Sequence, residues 1–481
     1  MRPRECEASG RAQAIGLIAL GVDRAVAHEA LTHWPRLEGL APWVLHNTIR
    51  QDTYELLSRL QQSDHSSTYR LMRNLKSMLD SIHALGPERL KLLTVITGGH
   101  FAIHWFQQLF PVVLPSIKAG LVLNDVQVGA LTSARQLVHG TLDFPLGVAA
   151  DAMVRYRALF LSSALISMAL GYLLMGVSAA FFLALCGSAL VGLGTALWHP
   201  AAAASLSNRF PERRATALSV HGMGATVSDT LTPLGVGALL IAITWENLLA
   251  LQLLPGVLAG ICVWRGLKGL FIEEAAHATR SAQLREIFLL AKHPVFLGIS
   301  AAKGLAMMGR LVVLTFLPIY LQEHLGYSPL ALGFFIALLH AMGTISQPIL
   351  GFLSDRFGRK TVLFPSFMAQ GTLFILLGVV PAGLPLTVVI AANGLFFYTL
   401  MNITYAAVMD VAGAKIQASS YGLASLLTEV VVVPTPIAAG YFIGWYGMQA
   451  AFILAGAFVL LAGFIFLPLD LYRGSRDRVS N

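Results

Sequence analysis

From Leu92 onward the chain repeats one pattern, an apolar run followed by a short polar break. Twelve runs can be drawn, at 92–117, 128–150, 158–177, 180–206, 215–243, 246–264, 295–321, 330–353, 361–380, 384–409, 420–443 and 448–470. An α-helix rises about 1.5 Å per residue, so about 20 apolar residues cross a bilayer core roughly 30 Å thick. Most breaks are too short for anything but a turn, so successive helices run antiparallel. The pattern predicts an all-α membrane protein.

Residues 1–90 do not share the pattern. Ala14–Val22 is apolar but far short of a span, and it only faintly resembles a signal peptide. Cleavage there would place the following segment outside the cell, against the charges of the later loops. Residues 51–84 show helical spacing at Tyr54, Leu57, Leu60, Leu71, Leu75, Met78 and Ile82, with polar residues between. They read either as a cytoplasmic extension or as the product of a start placed too far upstream. Residues 265–294 mix Arg265, Lys268 and Arg285 with Leu284, Ile287 and Phe288, an amphipathic linker between two halves, 91–264 and 295–470. Residues 471–481 form a basic tail.

Composition agrees with lipid as the main solvent. Hydrophobic residues make up 56% of 481 positions and charged ones 12%, about half the share usual in soluble domains, roughly 25%. The net charge of +8 does not indicate nucleic acid, because its cations fall in loops rather than along one stripe. Arg155, Arg157, Arg213, Arg265, Arg356 and Lys415 lie in alternate loops, and the intervening loops hold Lys118 and little else. That asymmetry places both termini in the cytoplasm. Cys6, Cys186 and Cys262 are far apart and suggest no disulfide or metal site, and His28, Glu29 and His33 lack zinc-protease spacing. With no phosphate-binding glycine loop either, neither an enzyme nor a bound cofactor is indicated.

The break at 351–360 reads Gly-Phe-Leu-Ser-Asp-Arg-Phe-Gly-Arg-Lys. Gly351 suits close helix approach, Gly358 a turn with positive φ, and Arg356, Arg359 and Lys360 a cytoplasmic anchor. About two hundred residues earlier, Gly147 and Asp151 repeat the Gly351–Asp355 spacing, followed by Arg155 and Arg157. Asp143 falls where Gln347 falls in the later copy. The pattern resembles the loop motif between spans 2 and 3, and 8 and 9, of the major facilitator superfamily. The resemblance implies twelve transmembrane helices in two pseudo-symmetric six-helix bundles, with Gly147, Asp151, Gly351, Asp355, Arg356, Gly358 and Arg359 acting in gating.

Ionisable groups within spans each cost about 2.5–3.5 kcal/mol on insertion scales unless they face a wet cavity or a partner. The first span has His100 and His104 one turn apart, then Gln107 and Gln108. The second has Arg135, His139 and Asp143 at intervals of four, either a self-neutralising stripe or part of a site. His221 and His340 read as hydrogen-bonded packing residues. His199, Ser228, Asp229, Lys303, Arg310, Gln347, Asn393, Tyr398, Asn402, Tyr405 and Glu429 are the other polar groups within the spans. Lys303 and Arg310, about 10.5 Å apart along one helix, read either as an anion seat or as structural partners of Asp229 or Glu429.

Gly99-His100, Gln107, Gln136, Trp198-His199-Pro200 and Arg214-Ala215-Thr216-Ala217, running into Gly222 and Gly224, look like the fosmidomycin-resistance branch of that superfamily. The branch implies proton-driven export of small, often anionic compounds. It carries an acid near the position of His104 and a glutamate after the His-Pro, where this chain has His104 and Ala201. A proton-coupling role therefore does not carry over to those two positions.

The expected protein is a monomeric secondary transporter of the inner membrane that exports a small, anionic organic compound or drug in exchange for protons by alternating access, its partners a small-molecule substrate, protons and lipid. Substrate would meet His100, His104, Arg135, His139, Lys303, Arg310 and Asn402, and protons Asp143, Asp229 or Glu429. Uptake of an organic anion with protons, or a membrane sensor that moves nothing, are the alternatives. Since residues 1–70 offer no span, a chain beginning at Met72 is expected to insert and transport normally; loss of flux in reconstituted vesicles would make the extension a working part.

Overall fold

The computed structural model describes residues 86–271, 288–412 and 417–469. The chain divides into two compact units, Met1–Leu90 and Lys91–Asn481. The expected helices at 51–84, most of the linker and the basic tail lie outside the described residues.

The first half contains α1 (Pro87–Gly120), α2 (Asp125–Ala152), α3 (Arg157–Gly176), α4 (Phe181–Arg209), α5 (Arg214–Ala242), and a sixth span made of α6 (Trp245–Leu251) and α7 (Leu253–Leu267). The second contains α8 (Pro294–Ile319), α9 (Pro329–Phe357), α10 (Arg359–Leu377), a tenth span of α11 (Leu384–Phe397) and α12 (Thr399–Ala412), an eleventh of α13 (Gln417–Val432) and α14 (Thr435–Tyr446), and α15 (Met448–Phe466). This is a twelve-span, all-helical membrane fold. Among the described residues nine helices are long and apolar enough to cross a membrane, and α1, α2 and the α13–α14 pair fall outside that nine. They carry the polar residues singled out above or, in the last case, a break.

Three spans that read as continuous are interrupted. Gln252 separates α6 from α7 and accepts a hydrogen bond from Trp105 Nε1 at 3.0 Å. Tyr398 separates α11 from α12, and Val433–Pro434 separates α13 from α14. Apolar content decides where a span lies, but a side chain that bonds elsewhere, or a missing proline N–H, decides where its ladder opens.

Local chemistry sets the ends. Asn124 caps α2 by accepting from Gln127 N at 2.9 Å, while Gln127 Oε1 accepts from Asn124 N at 3.0 Å, a reciprocal capping box. Ser328 caps α9 and Pro329 opens it. Gly358, at φ +96°, turns the chain directly from α9 into α10, in the backbone region that favours glycine. Arg157, 2% exposed, donates from Nε to Ala150 O and from Nη2 to Asp151, each at 2.9 Å, tying the end of α2 to the start of α3.

Within the first half α2 and α3 pack on α4; within the second α8 and α10 pack on α15. The halves meet along α5–α9 and α2–α14. Glycine permits both seams. A Cβ on Gly237 would lie 2.5 Å from Pro329 O, and one on Gly440 2.5 Å from Asp125 O. Gly333 packs likewise on Pro233, and Gly129 on Pro436. At the same end Lys118 Nζ lies 2.8 Å from Asp125 and 2.6 Å from Glu323, joining α1 to the short π-helical turn Tyr320–His324.

The opposite end differs. The expectation that Gly351 admits a close helix neighbour is not met, since nothing lies within 4 Å of where its Cβ would be. The close α5–α9 approaches at Gly237 and Gly333 are at the other end of α9. Arg359 pairs with Asp355 and, at 3.1 Å, with Asp410, all in the second half. The two halves are closed at the Lys118 end.

Gly333→Val forces a branched side chain against α5, an overpacking that costs about 1–3 kcal/mol. The closed end is expected to open, so that Thr132→Cys, buried beneath it against Thr315 (Oγ1 to Oγ1 3.3 Å), becomes reactive to an impermeant maleimide. Unchanged labelling would mean the seam does not hold this end.

Candidate functional site

Asp229 of α5 is 2% exposed and accepts three hydrogen bonds. His104 Nδ1 donates at 2.7 Å and Gln108 Nε2 at 2.9 Å, both from one face of α1. The third comes from the other half, where the Tyr398 hydroxyl reaches Asp229 Oδ2 at 2.5 Å. That hydroxyl also lies 2.5 Å from His340 Nδ1 on α9. Because Tyr398 has one proton and gives it to the carboxylate, His340 must donate to Tyr398. His340 is thus hydrogen-bonded as expected, but inside a chain that crosses between the halves.

Around His104 the imidazoles gather. His100 Nδ1 donates to His221 O at 2.9 Å, and the two rings stack with centroids 3.7 Å apart. His199 Nδ1 donates to Thr195 O at 3.0 Å. His100 and His104 lie edge to face at 4.6 Å, and His139 is 6.4 Å from His199. Trp198 is fully buried against Gly99, whose missing side chain makes room for the indole. The His199 ring next in sequence is thereby set beside α1. Sequence reasoning noted His199 and Tyr398 as polar groups within spans but gave neither a role in the site, because most of the groups they meet here are remote in the chain.

The second inter-half carboxylate is Glu429 on α13. It accepts from Gln136 Nε2 of α2 at 2.7 Å and lies over Gly140, where a Cβ would meet its Cγ at 2.6 Å. Lys303 on α8, 2% exposed, donates to Thr428 Oγ1 at 3.4 Å with its ammonium 4.1 Å from the Tyr405 ring centroid. Arg310 lies over Phe397 at 4.4 Å and Tyr398 at 5.3 Å, and its Nε is buried without a hydrogen-bond partner. Neither cation is within ion-pairing distance of a carboxylate among the described residues. The locked pair with Asp229 or Glu429 that the sequence allowed is not formed. These carboxylates are instead taken up by neutral donors and a histidine.

The self-neutralising stripe on α2 forms only in part. Arg135 and Asp143 are eight residues apart, about 12 Å of rise. Arg135 turns instead to Gln107 O at 3.4 Å and the Phe110 ring at 4.8 Å. His139 reaches Asp143 only at 4.0 Å. Asn402 is exposed on α12, one turn beyond Tyr398. Gly147 packs near Pro200, whose Cβ would be 3.3 Å from an added Cβ, and Arg356 is exposed over Phe357.

Two bundles of six spans, closed against each other at one end and linked midway along their helices by hydrogen bonds to Asp229 and Glu429, define a membrane transporter. A family model of the Major Facilitator Superfamily matches residues 96–346 and 299–479, and the chain belongs to that superfamily. It is 22% identical over 371 residues to a hexuronate transporter of Bacillus subtilis (strain 168), covering 73% of this chain and 87% of that protein. It is 29% identical over 160 residues to the multi-drug resistance efflux pump PmrA of Streptococcus pneumoniae serotype 4, covering 32% of this chain and 39% of the pump. Among solved structures, a bacterial homologue of the human lysosomal transporter Spinster, inward-facing and unoccupied, superposes with a TM-score of 0.66 at 18% identity. That match covers 81% of this chain and 99% of the other.

Proposed function

We propose that the protein is a proton-coupled secondary transporter of the inner membrane that exports a small organic anion by alternating access. The observation that carries the anion is the pair Lys303 and Arg310, two cations at membrane depth without an ion-pairing carboxylate among the described residues. A carboxylate, phosphate or phosphonate supplies what they lack, with arginine as a two-pronged donor and lysine as a point charge. The fosmidomycin-resistance resemblance and the efflux-pump relative favour export. The hexuronate relative, named for an acidic sugar, favours an anion and supports uptake with protons as the second reading.

With both termini cytoplasmic, the Lys118 end faces outward and the Gly351 end inward, so the closed seam belongs to an inward-open state. Asp229 suits coupling because its ionised form accepts from both halves at once. Protonated, it keeps less accepting capacity and gains a donor, so the donors from α1 and Tyr398 can no longer all be satisfied. Glu429 stands in the same relation to Gln136, and Asp143 is next in line. Asp355 and Arg359, confined to their own half here, would meet the other when the inner end closes.

Arg310→Gln and Lys303→Gln are expected to stay folded and to weaken binding of anionic metabolites at least tenfold in a thermal-shift library, leaving neutral compounds unaffected. Variants that bind anions as before would end the anion assignment. Asp229→Asn or Glu429→Gln, whichever carries the proton, is expected to retain substrate exchange between vesicles and lose accumulation driven by a pH gradient. Full gradient-driven flux in both would move coupling to Asp143.

A further inference from the structure

We infer that His100, His104 and His199 form a binding site for a divalent transition-metal ion of the zinc type, built into the first half. One ring nitrogen from each of the three lies within 4.8 Å of the others. The arrangement around them fits such a site. Each Nδ1 faces an oxygen: His221 O at 2.9 Å, Asp229 Oδ1 at 2.7 Å and Thr195 O at 3.0 Å. An oxygen acceptor requires the proton on Nδ1, which leaves Nε2 of every ring with a free lone pair. Metal-binding histidines are held in this way, with the second nitrogen bonded to a carbonyl or carboxylate that fixes tautomer and orientation.

A second observation is independent of the clustering. His100 is 6% exposed, and its Nε2 is buried with no hydrogen-bond partner. Burying such an acceptor without a partner is unfavourable, and a cation would satisfy it. Three imidazoles that each bring a ring nitrogen into one small volume are more than packing requires.

The donor set selects the ion. Three neutral imidazoles without thiolate suit zinc, nickel, cobalt or copper(II), whereas magnesium and calcium want oxygen. Tetrahedral zinc at about 2.0–2.1 Å from each nitrogen brings the nitrogens to about 3.4 Å from one another, a contraction within reach of side-chain rotation. Three protein ligands leave a fourth position for water or for an anionic oxygen of a small molecule. Because His104 also donates to Asp229, an ion on its far nitrogen would strengthen that bond and so act on the contact between the halves.

The test uses the purified full chain, stripped with chelator and titrated with zinc chloride or cobalt chloride, with magnesium chloride as the control. The expected result is close to one ion per chain, with no magnesium uptake and with cobalt showing visible bands of a low-coordinate site. Apparent affinity is expected to fall at least tenfold in His100→Gln, His104→Gln and His199→Gln, and to be unchanged in His324→Gln at the exposed end of the π-helical turn. X-ray absorption of the wild-type zinc form keeps the question open to decision even where a variant misfolds, and three imidazole nitrogens in the first shell are expected. No uptake by the wild type, equal affinity in all three folded variants, or a first shell of oxygens would each overturn the site.

Discussion

A carboxylate removed from water must be surrounded by donors, and Asp229 obtains them from both halves of the molecule. Two come from α1 and one from Tyr398, so the bond network that makes its burial tolerable also joins the bundles. Much of the site follows from that constraint. Tyr398 sits where the tenth span is broken, His340 orients the hydroxyl, and Arg310 lies over the same ring. Around His104 the remaining histidines are placed by what α1, α4 and α5 can bring alongside.

The architecture was legible because lipid imposes one rule on every span. The twelve apolar runs drawn from the sequence match the observed spans to within several residues, and the Gly-x-x-x-Asp-Arg loop identified the family before any coordinate. The site was legible only in its ingredients. His104, Asp229, Lys303 and Glu429 stand out as polar residues in apolar helices, but their partners do not follow from spacing. Asp229 and Tyr398 are 169 positions apart, and Gln136 and Glu429 are 293 apart.

Local spacing misled where side-chain reach was the deciding quantity. Arg135 and Asp143 share a helical face but are too far apart to touch, so the cation found a carbonyl on α1 and an aromatic ring. Gly351 has the motif position of a contact glycine, yet nothing lies within 4 Å of where its Cβ would be. A sequence motif lists what can meet; the state of the molecule determines what does.

The interruption between α13 and α14 has a mechanical meaning. Pro434 and Pro436 remove two backbone N–H donors within one turn, and the Thr435 hydroxyl donates to Val431 O at 2.9 Å. With the ladder thinned there, the eleventh span is stiff on either side and compliant between. Its α14 arm is docked on α2 through Gly440 and Gly129, and its α13 arm carries Glu429. Bending at this joint would let the arm bearing the carboxylate swing while the docked arm stays in place, so that the span works as a lever with its fulcrum inside the membrane.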